Sequence, residues 1–231
     1  MDIEKFKAEL EGHADSEKAK ASQKFFKTGK GEYGKGDIFL GVIVPKQRAV
    51  AKKYDLSLED LQELLDSKIH EHRLSSLFIL IDKYKKSEDK KKIFDFYLKN
   101  SKKINNWDLV DCSAHKIVGD YLIDKNKNIL YELANSSDLW EKRIAVISTF
   151  AFIRENEFKE SLAISKILLN DEHDLIHKAV GWMLREIGKK NEKVLEDFLK
   201  KHYKKMPRTM LRYSIECFPE EKRKGYLGGN I

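Results

Sequence analysis

Apolar residues recur along most of the chain at the three-to-four-residue spacing of an amphipathic α-helix, and this pattern most restricts the possible folds. In segment 71–84, for example, Leu74, Leu77, Ile81 and Tyr84 fall on one helix face. No segment alternates polar and apolar residues between turn signals, as a hairpin would. The 231 residues include only 3 Pro and 12 Gly, too few to separate the many strands of a sandwich or barrel. The sequence therefore predicts an all-α fold.

Several of the predicted helices begin at a capping residue. Ser57 stands three residues before Asp60 in the form of a capping box, and Asn106, Asp138 and Asp174 each open an apolar-periodic stretch. Helices are predicted at 2–10, 57–66, 71–84, 91–98, 107–123, 127–134, 138–154, 158–169, 174–187, 192–203 and 207–217.

The predicted helices also repeat. Arg73, Arg143 and Lys178 occupy one equivalent position near a helix start, at separations of 70 and 35 residues. A period in the thirties with two helices per unit is typical of an α-solenoid of HEAT-like repeats, an armadillo-like superhelix. We therefore expect one such domain over residues 1–224 and a flexible tail at 225–231. The three basic residues would form a stripe along its concave surface.

One repeat departs from this pattern. Trp107, Asp108 and Asp111 stand where the other units carry positive charge, and Trp107 and Asp111 are four residues apart on one predicted helix face. Acidic and indole groups inside a basic groove are suited to stabilising a cation on nucleic acid. A second tryptophan shares a predicted face with two basic residues: Lys178, Trp182 and Arg185.

Composition narrows the class of protein. Lys and Arg number 45 against 38 Asp and Glu, a net charge of +7, and 41% of residues are hydrophobic, so the chain folds and favours an acidic partner. The two cysteines are too few for a disulfide framework. Neither an apolar leader nor an apolar run of membrane-spanning length is present. We expect a cytoplasmic protein that does not bind membranes.

The Gly-rich loop, residues 29–36, matches the spacing of two phosphate-binding motifs. Both motifs require a preceding strand, whereas the upstream segment 21–27 has the pattern of an amphipathic helix. Gly36 also stands where a P-loop needs Ser or Thr. We therefore expect no nucleotide cofactor. Instead, a mobile loop would bring Lys30 and Lys35 to a DNA backbone.

No metal site is expected. His173 and His177 are four residues apart and His70 lies close to His72, but neither pair belongs to a zinc-binding motif. We expect these histidines to be solvated at the surface instead.

Two further residues are assigned to the core: Cys112 and Trp140.

Four segments, in this order along the chain, carry a family resemblance. They are 39–42 (Phe-Leu-Gly-Val) followed by Pro45 and Arg48, 107–111 (Trp-Asp-Leu-Val-Asp), 139–143 (Leu-Trp-Glu-Lys-Arg) and 178–186 (Lys-Ala-Val-Gly-Trp-Met-Leu-Arg-Glu). With them the chain resembles the DNA alkylation repair family, the AlkD-type alkylpurine DNA glycosylases built of HEAT-like repeats. The resemblance extends over residues 35–217.

The resemblance implies site residues. Trp107, Asp111 and Trp182 match the family's catalytic and lesion-contacting residues, and Arg143 matches a backbone contact near the lesion. The sequence departs from the family at 28–37, where active members carry a helix that helps to hold DNA. The residues expected to bind DNA are Arg48, Arg73, Arg143, Lys178 and Arg185, with Lys30 and Lys35 of the Gly-rich loop.

The expected activity is that of a monomeric, monofunctional glycosylase that excises cationic N3- or N7-alkylated purines from duplex DNA. Such a base leaves in neutral form, so one carboxylate, Asp111, could stabilise the sugar cation and orient water. Two alternatives stay open. One is a noncatalytic HEAT-like protein that binds damaged or branched DNA, and the other is a scaffold for protein partners.

Overall fold

The computed structural model describes residues 2–231, and within them the chain is helical, with one isolated bridge between Ile38 and Ile69 and no strand. The all-α prediction is confirmed. The chain forms two compact units: unit 1 ends at Ser113, and unit 2 runs from Ala114 to Ile231. One domain over residues 1–224 stays a prediction.

Unit 1 is organised around one buried helix. Its helices are α1 (Asp2–Glu11), α2 (Ser16–Phe25), α3 (Val44–Ala51), α4 (Leu58–Leu65), α5 (His70–Lys86), α6 (Lys90–Lys99) and α7 (Trp107–Ala114), with a 3-10 turn at Ser101–Lys103. Every residue of α5 from His70 to Ile81 is buried, and α5 packs against α3, α4 and α6. A helix buried on all sides forms the core of its unit.

Unit 2 is organised around one long helix that is buried on one face only. After a π-helical turn (His115–Gly119) come α8 (Asp120–Leu122), α9 (Asn128–Ala134), α10 (Leu139–Ser148), α11 (Phe150–Arg154), α12 (Lys159–Ile167), α13 (Asp174–Lys190), α14 (Glu192–His202), α15 (Arg208–Ser214) and α16 (Glu220–Gly228), with a 3-10 turn at Leu168–Asn170. Helix α13 packs against α10, α11, α12, α14 and α15. Among the described residues, none of the helices combines the length and apolar character that crossing a membrane requires.

The predicted caps form at two of the four positions as expected. Ser57 Oγ accepts the Asp60 N–H at 3.1 Å while the Asp60 carboxylate accepts the Ser57 N–H at 3.0 Å, a complete capping box. Asp138 accepts from the N–H groups of Trp140 and Glu141. At α13 the cap is His173, one residue earlier than the predicted Asp174.

The structure differs from the predicted helices in four places, the first of which is segment 107–123, where the π-helical turn at His115–Gly119 separates α7 from α8. Helices α3 and α16 were not predicted, and the segment 138–154 divides at Thr149 into α10 and α11. Thr149 Oγ1 donates to the Val146 carbonyl at 2.7 Å, a local bond that competes with helix continuation. Helix α16 reaches Gly228 and buries Tyr226, so the expected tail at 225–231 is helical in its first half.

Candidate functional site

Trp107 opens α7 within an aromatic cluster of unit 1. Its N–H donates to Asn106 Oδ1 at 2.8 Å, so the residue predicted to open this helix does contact its first turn. Its half-buried indole stacks on Phe26, with ring centroids 5.3 Å apart and 19° between the planes. Phe25, 66% exposed, meets the same indole edge-on at 5.9 Å. The chain itself therefore covers part of the indole that was expected to contact a lesion.

The Gly-rich loop folds back on the residue that stacks on Trp107. Lys27 has a positive φ of 51° directly after Phe26, and the Gly34 N–H donates to the Lys27 carbonyl at 3.1 Å. A Cβ on Gly34 would lie 2.5 Å from the Phe26 carbonyl oxygen, so only glycine fits there. The loop follows helix α2, and Lys30 and Lys35 are exposed within it.

Asp111 lies one turn after Trp107 on α7, so the two side chains share a helix face. The carboxylate is half-buried and lies near the pair formed by the Tyr97 hydroxyl and Ser113 Oγ, which are 2.8 Å apart. Burial raises the pKa of Tyr97, and the charges of Cys112 and Asp111 raise it further. Tyr97 is therefore a neutral neighbour of the predicted catalytic carboxylate. Cys112, expected in the core, is half-buried.

A buried charged cluster adjoins the aromatic one. His70 Nε2 lies 2.8 Å from Asp108 Oδ2, and His70 Nδ1 lies 3.5 Å from Asp37 Oδ2. Arg73 Nη2 is 2.7 Å from the same Asp37 oxygen. Burial opposes a charge on His70, but Asp108 and Asp37 outweigh it and raise the pKa of His70 to about 9.

The expectation of solvated histidines is therefore wrong for His70 and His72, which are 2% and 3% exposed. His72 Nδ1 pairs with Ser67 Oγ at 3.1 Å, and burial lowers the pKa of His72. Sequence reasoning missed the role of His70 because its carboxylate partners lie on distant segments. Among the described residues, no three His, Cys, Asp or Glu side chains form a group able to hold a metal ion.

Trp182 lies on α13 in a second aromatic cluster, within unit 2. Its Nε1–H donates to Glu186 Oε1 at 3.1 Å, and its ring is 5.8 Å from the ring of Phe150. Phe150 in turn contacts His115 at 5.4 Å and lies 4.4 Å from the Arg154 guanidinium carbon. Sequence reasoning missed Phe150. Trp140, expected in the core, is 7% exposed, which confirms that assignment.

The predicted basic stripe is wrong as a surface feature, because Arg73 and Arg143 are each 4% exposed. Arg73 Nη1 donates to the Ser67 carbonyl, and Arg143 Nη1 donates to the Leu175 carbonyl. The guanidinium groups of Arg73 and Arg143 are therefore buried inside their units and bind backbone carbonyl groups there. Lys178 is accessible and pairs with Asp174 at 2.7 Å.

The other predicted DNA contacts are accessible to different extents. Arg48 is exposed, and its guanidinium carbon lies 3.9 Å from the centre of the Phe78 ring. Arg185 is half-buried and pairs with Glu216 and Glu186. Contact with DNA by these side chains stays a prediction, as it does for Lys30, Lys35 and Lys178.

A polar cavity of about 710 Å³ in unit 2 adds two cations that sequence reasoning missed. Arg212 and Arg223 line it, and neither has a carboxylate within 4 Å among the described residues. Arg223 Nε is buried without a hydrogen-bond partner. Arg212 follows Lys178 by 34 residues, close to the predicted repeat period, and this spacing could have revealed it. The cavity is lined by Asp174, Lys178, Arg185, Thr209, Arg212, Tyr213, Glu216 and Arg223.

Comparison with known proteins agrees with this arrangement of helices. No curated protein gives a significant match. A solved structure described as a predicted DNA alkylation repair enzyme from Enterococcus faecalis superposes with a TM-score of 0.71 at 16% identity, covering 90% of this chain and 98% of that one. Residues 6–218 match the family described as DNA alkylation repair enzyme. Because that match extends over almost the whole chain, the protein belongs to the DNA alkylation repair enzyme family.

Proposed function

We propose that the protein is a monofunctional DNA glycosylase that removes cationic N3- or N7-alkylated purines from duplex DNA and leaves an abasic site. The observation that carries the proposal is the pair Trp107 and Asp111 on one face of α7, in a member of this family. No resident cofactor is required by this chemistry.

The leaving group explains why one carboxylate suffices. An alkylated purine with a positive charge departs as a neutral base, so no general acid has to protonate it. As the N-glycosidic bond breaks, both bonding electrons go to the base and positive charge develops on the sugar. The Asp111 carboxylate stabilises that charge and orients a water, whose oxygen bonds to C1′ while its proton passes to the carboxylate.

Aromatic side chains suit a cationic lesion. A positive charge over an indole face is stabilised by about 0.5–2 kcal/mol. Trp107 supplies such a face near Asp111, and Trp182 is the predicted second lesion contact. Phosphate contacts from Arg48, Lys178 and Arg185 would fix the position of the duplex without reading its sequence.

The decisive experiment measures release of 7-methylguanine and 3-methyladenine from alkylated duplex DNA. We expect Asp111→Asn to slow release by about 10²–10⁴-fold, because the amide removes both the charge and the proton acceptor. The matched control is Asp124→Asn, an exposed carboxylate outside the site, which should keep the wild-type rate. Equal release by wild type and Asp111→Asn would rule out the assigned role.

A second function is favoured by one observation. Phe26 stacks on the Trp107 indole, and a sugar cannot occupy that face while the stack persists. This arrangement fits a noncatalytic protein that binds damaged or branched DNA. Wild-type protein that binds such DNA without releasing base would establish this alternative, whereas a protein scaffold would bind little DNA at physiological salt.

A further inference from the structure

Three buried charged side chains and one that is half-buried connect three segments of unit 1. Asp37 follows the Gly-rich loop, His70 and Arg73 belong to the first turn of α5, and Asp108 belongs to the first turn of α7. The side chains of His70, Arg73 and Asp37 are 2%, 4% and 7% exposed, and that of Asp108 is 16% exposed. We call these four residues the His70 cluster.

Hydrogen-bond geometry favours a positive charge on His70. Both ring nitrogens face carboxylate oxygens, at 2.8 Å for Asp108 and 3.5 Å for Asp37. An ionised carboxylate only accepts hydrogen bonds, so both contacts are satisfied when both ring nitrogens donate, and only the imidazolium does so. The cluster then contains two positive and two negative groups, so its charges balance. If the imidazole were neutral, one carboxylate of the cluster would have no positive charge to compensate it.

The same imidazole ring continues the aromatic cluster. It stacks on Phe39 with centroids 4.6 Å apart and lies 4.9 Å from the ring of Phe26. Phe26 in turn stacks on Trp107. The ring of His70 therefore reaches the start of α7 twice, directly through Asp108 and indirectly through Phe26, which stacks on Trp107.

We infer that His70 is a positioning residue for the proposed reaction: its imidazolium fixes the start of α7 and thereby the placement of Trp107 and Asp111. The inference rests on the proposed function. Asp108, which His70 engages, lies in the first turn of α7 directly after Trp107, so the contact holds this turn in place. Deprotonation or replacement of His70 would release Asp108 and loosen the first turn of α7.

The pH dependence has a defined sign. The charged groups that face His70 are Asp37, Asp108 and Arg73, while Glu71 is turned to the backbone N–H groups of residues 40–42. The pKa of His70 in the folded protein, about 9, lies above its usual value of 6.5. The stabilisation is therefore complete below pH 6.5 and is lost as the pH rises through about 9.

The test compares full-length wild type, His70→Gln and His72→Gln. His72 is a matched control, because it is buried on the same helix, burial lowers its pKa, and its polar partners, Ser67 and Glu11, both lie outside α7. Single-turnover base release is measured from pH 6 to 10. We expect the wild-type rate to fall with a midpoint near pH 9 and His72→Gln to keep that profile. His70→Gln should be slower by roughly 10- to 100-fold and lack the midpoint.

A second measurement separates this inference from the proposed function. The Trp107 indole N–H resonance, assigned with Trp107→Phe, is followed by NMR over the same pH range. We expect a shift with a midpoint near pH 9 in wild type and none in His70→Gln. An inactive wild type that shows this shift contradicts the glycosylase function and supports the positioning role. A resonance that does not respond, or a His70→Gln profile identical to wild type after correction for the unfolded fraction, overturns it.

Discussion

Glu71 shows how a single buried carboxylate in unit 1 organises backbone around it. The side chain is 2% exposed and accepts the N–H groups of Leu40, Gly41 and Val42 at 3.0, 2.8 and 3.3 Å. Gly41 has a φ of +80°, and a Cβ there would lie 2.2 Å from the Asp15 carbonyl oxygen. This segment forms neither helix nor strand, so its N–H groups depend on an acceptor from α5.

Glu71→Gln tests that dependence. Gln has the same shape, but it loses the charge and turns one acceptor oxygen into a donor that faces backbone N–H groups. We expect the free energy of unfolding to fall by about 2–3 kcal/mol, measured by urea denaturation. Glu63→Gln is the control, since Glu63 is exposed and pairs with Lys7 at the surface, where such pairs contribute at most about 1 kcal/mol. Equal losses in the two variants would contradict the assignment.

For single residues, the sequence predicts which side chains belong to the candidate site better than it predicts what each of them contacts. The pair Trp107 and Asp111 follows from helical spacing, because both lie on α7 itself. His70 was expected at the surface, because its carboxylate partners lie 33 and 38 residues away and no local pattern reveals them. Arg73 and Arg143 were correctly placed near helix starts, but spacing alone does not show whether such a side chain points inward.

Among whole elements, hydrophobic periodicity predicts best those helices that bury a wide face. The long helices α5 and α13 were predicted to within a few residues at each end. Helix α3 was missed because it buries only two apolar side chains, Val50 and Ala51, and α16 because Tyr226 is its only buried residue. Short helices of this kind form through packing against neighbours, which a local pattern does not contain.

The crossing of α13 and α15 gives a prediction for one glycine of the Gly-Trp segment. A Cβ on Gly181 would lie 2.5 Å from Tyr213 Cβ and 2.7 Å from the Met210 carbonyl oxygen. Overpacking of this kind costs about 1–3 kcal/mol, whereas helix propensity favours Ala over Gly by about 1 kcal/mol. We therefore expect Gly181→Ala to lower the free energy of unfolding by up to about 2 kcal/mol in thermal and urea denaturation.

The matched control lies on the same helix. A Cβ on Gly188 would meet Leu195 Cδ2 at 2.5 Å, and this atom is the end of a side chain that can rotate away. Gly188→Ala should therefore leave stability unchanged within about 0.5 kcal/mol or raise it slightly. If Gly181→Ala were as stable as Gly188→Ala, the close approach of α13 and α15 would not be what requires glycine at position 181.

For the whole molecule, the affinity for DNA depends less on the net charge of +7 than on which Lys and Arg side chains already form ion pairs with carboxylates of the protein. Lys142 and Lys222 already pair with carboxylates of their own unit. A paired cation must give up its partner to bind a phosphate, whereas an unpaired one only displaces water and counterions. The cations most available to DNA in unit 2 therefore include Arg212 and Arg223.

Arg212→Gln tests this at the level of total affinity for DNA. If Arg212 contacts a phosphate, the variant should bind duplex DNA more weakly, and the slope of log affinity against log salt should become shallower by about 1. Binding is measured by fluorescence anisotropy between 50 and 200 mM salt. Over this range, a protein with 6–10 phosphate contacts loses about 10³–10⁵-fold in affinity for DNA.

Lys125→Gln is the control in the same unit, because Lys125 lines a different cavity with Lys127 and Lys159. Both variants lose one positive charge, so a general charge effect would change the two slopes equally. A slope that changes only in Arg212→Gln would locate a phosphate contact in the cavity beside α13, and equal slopes would exclude it.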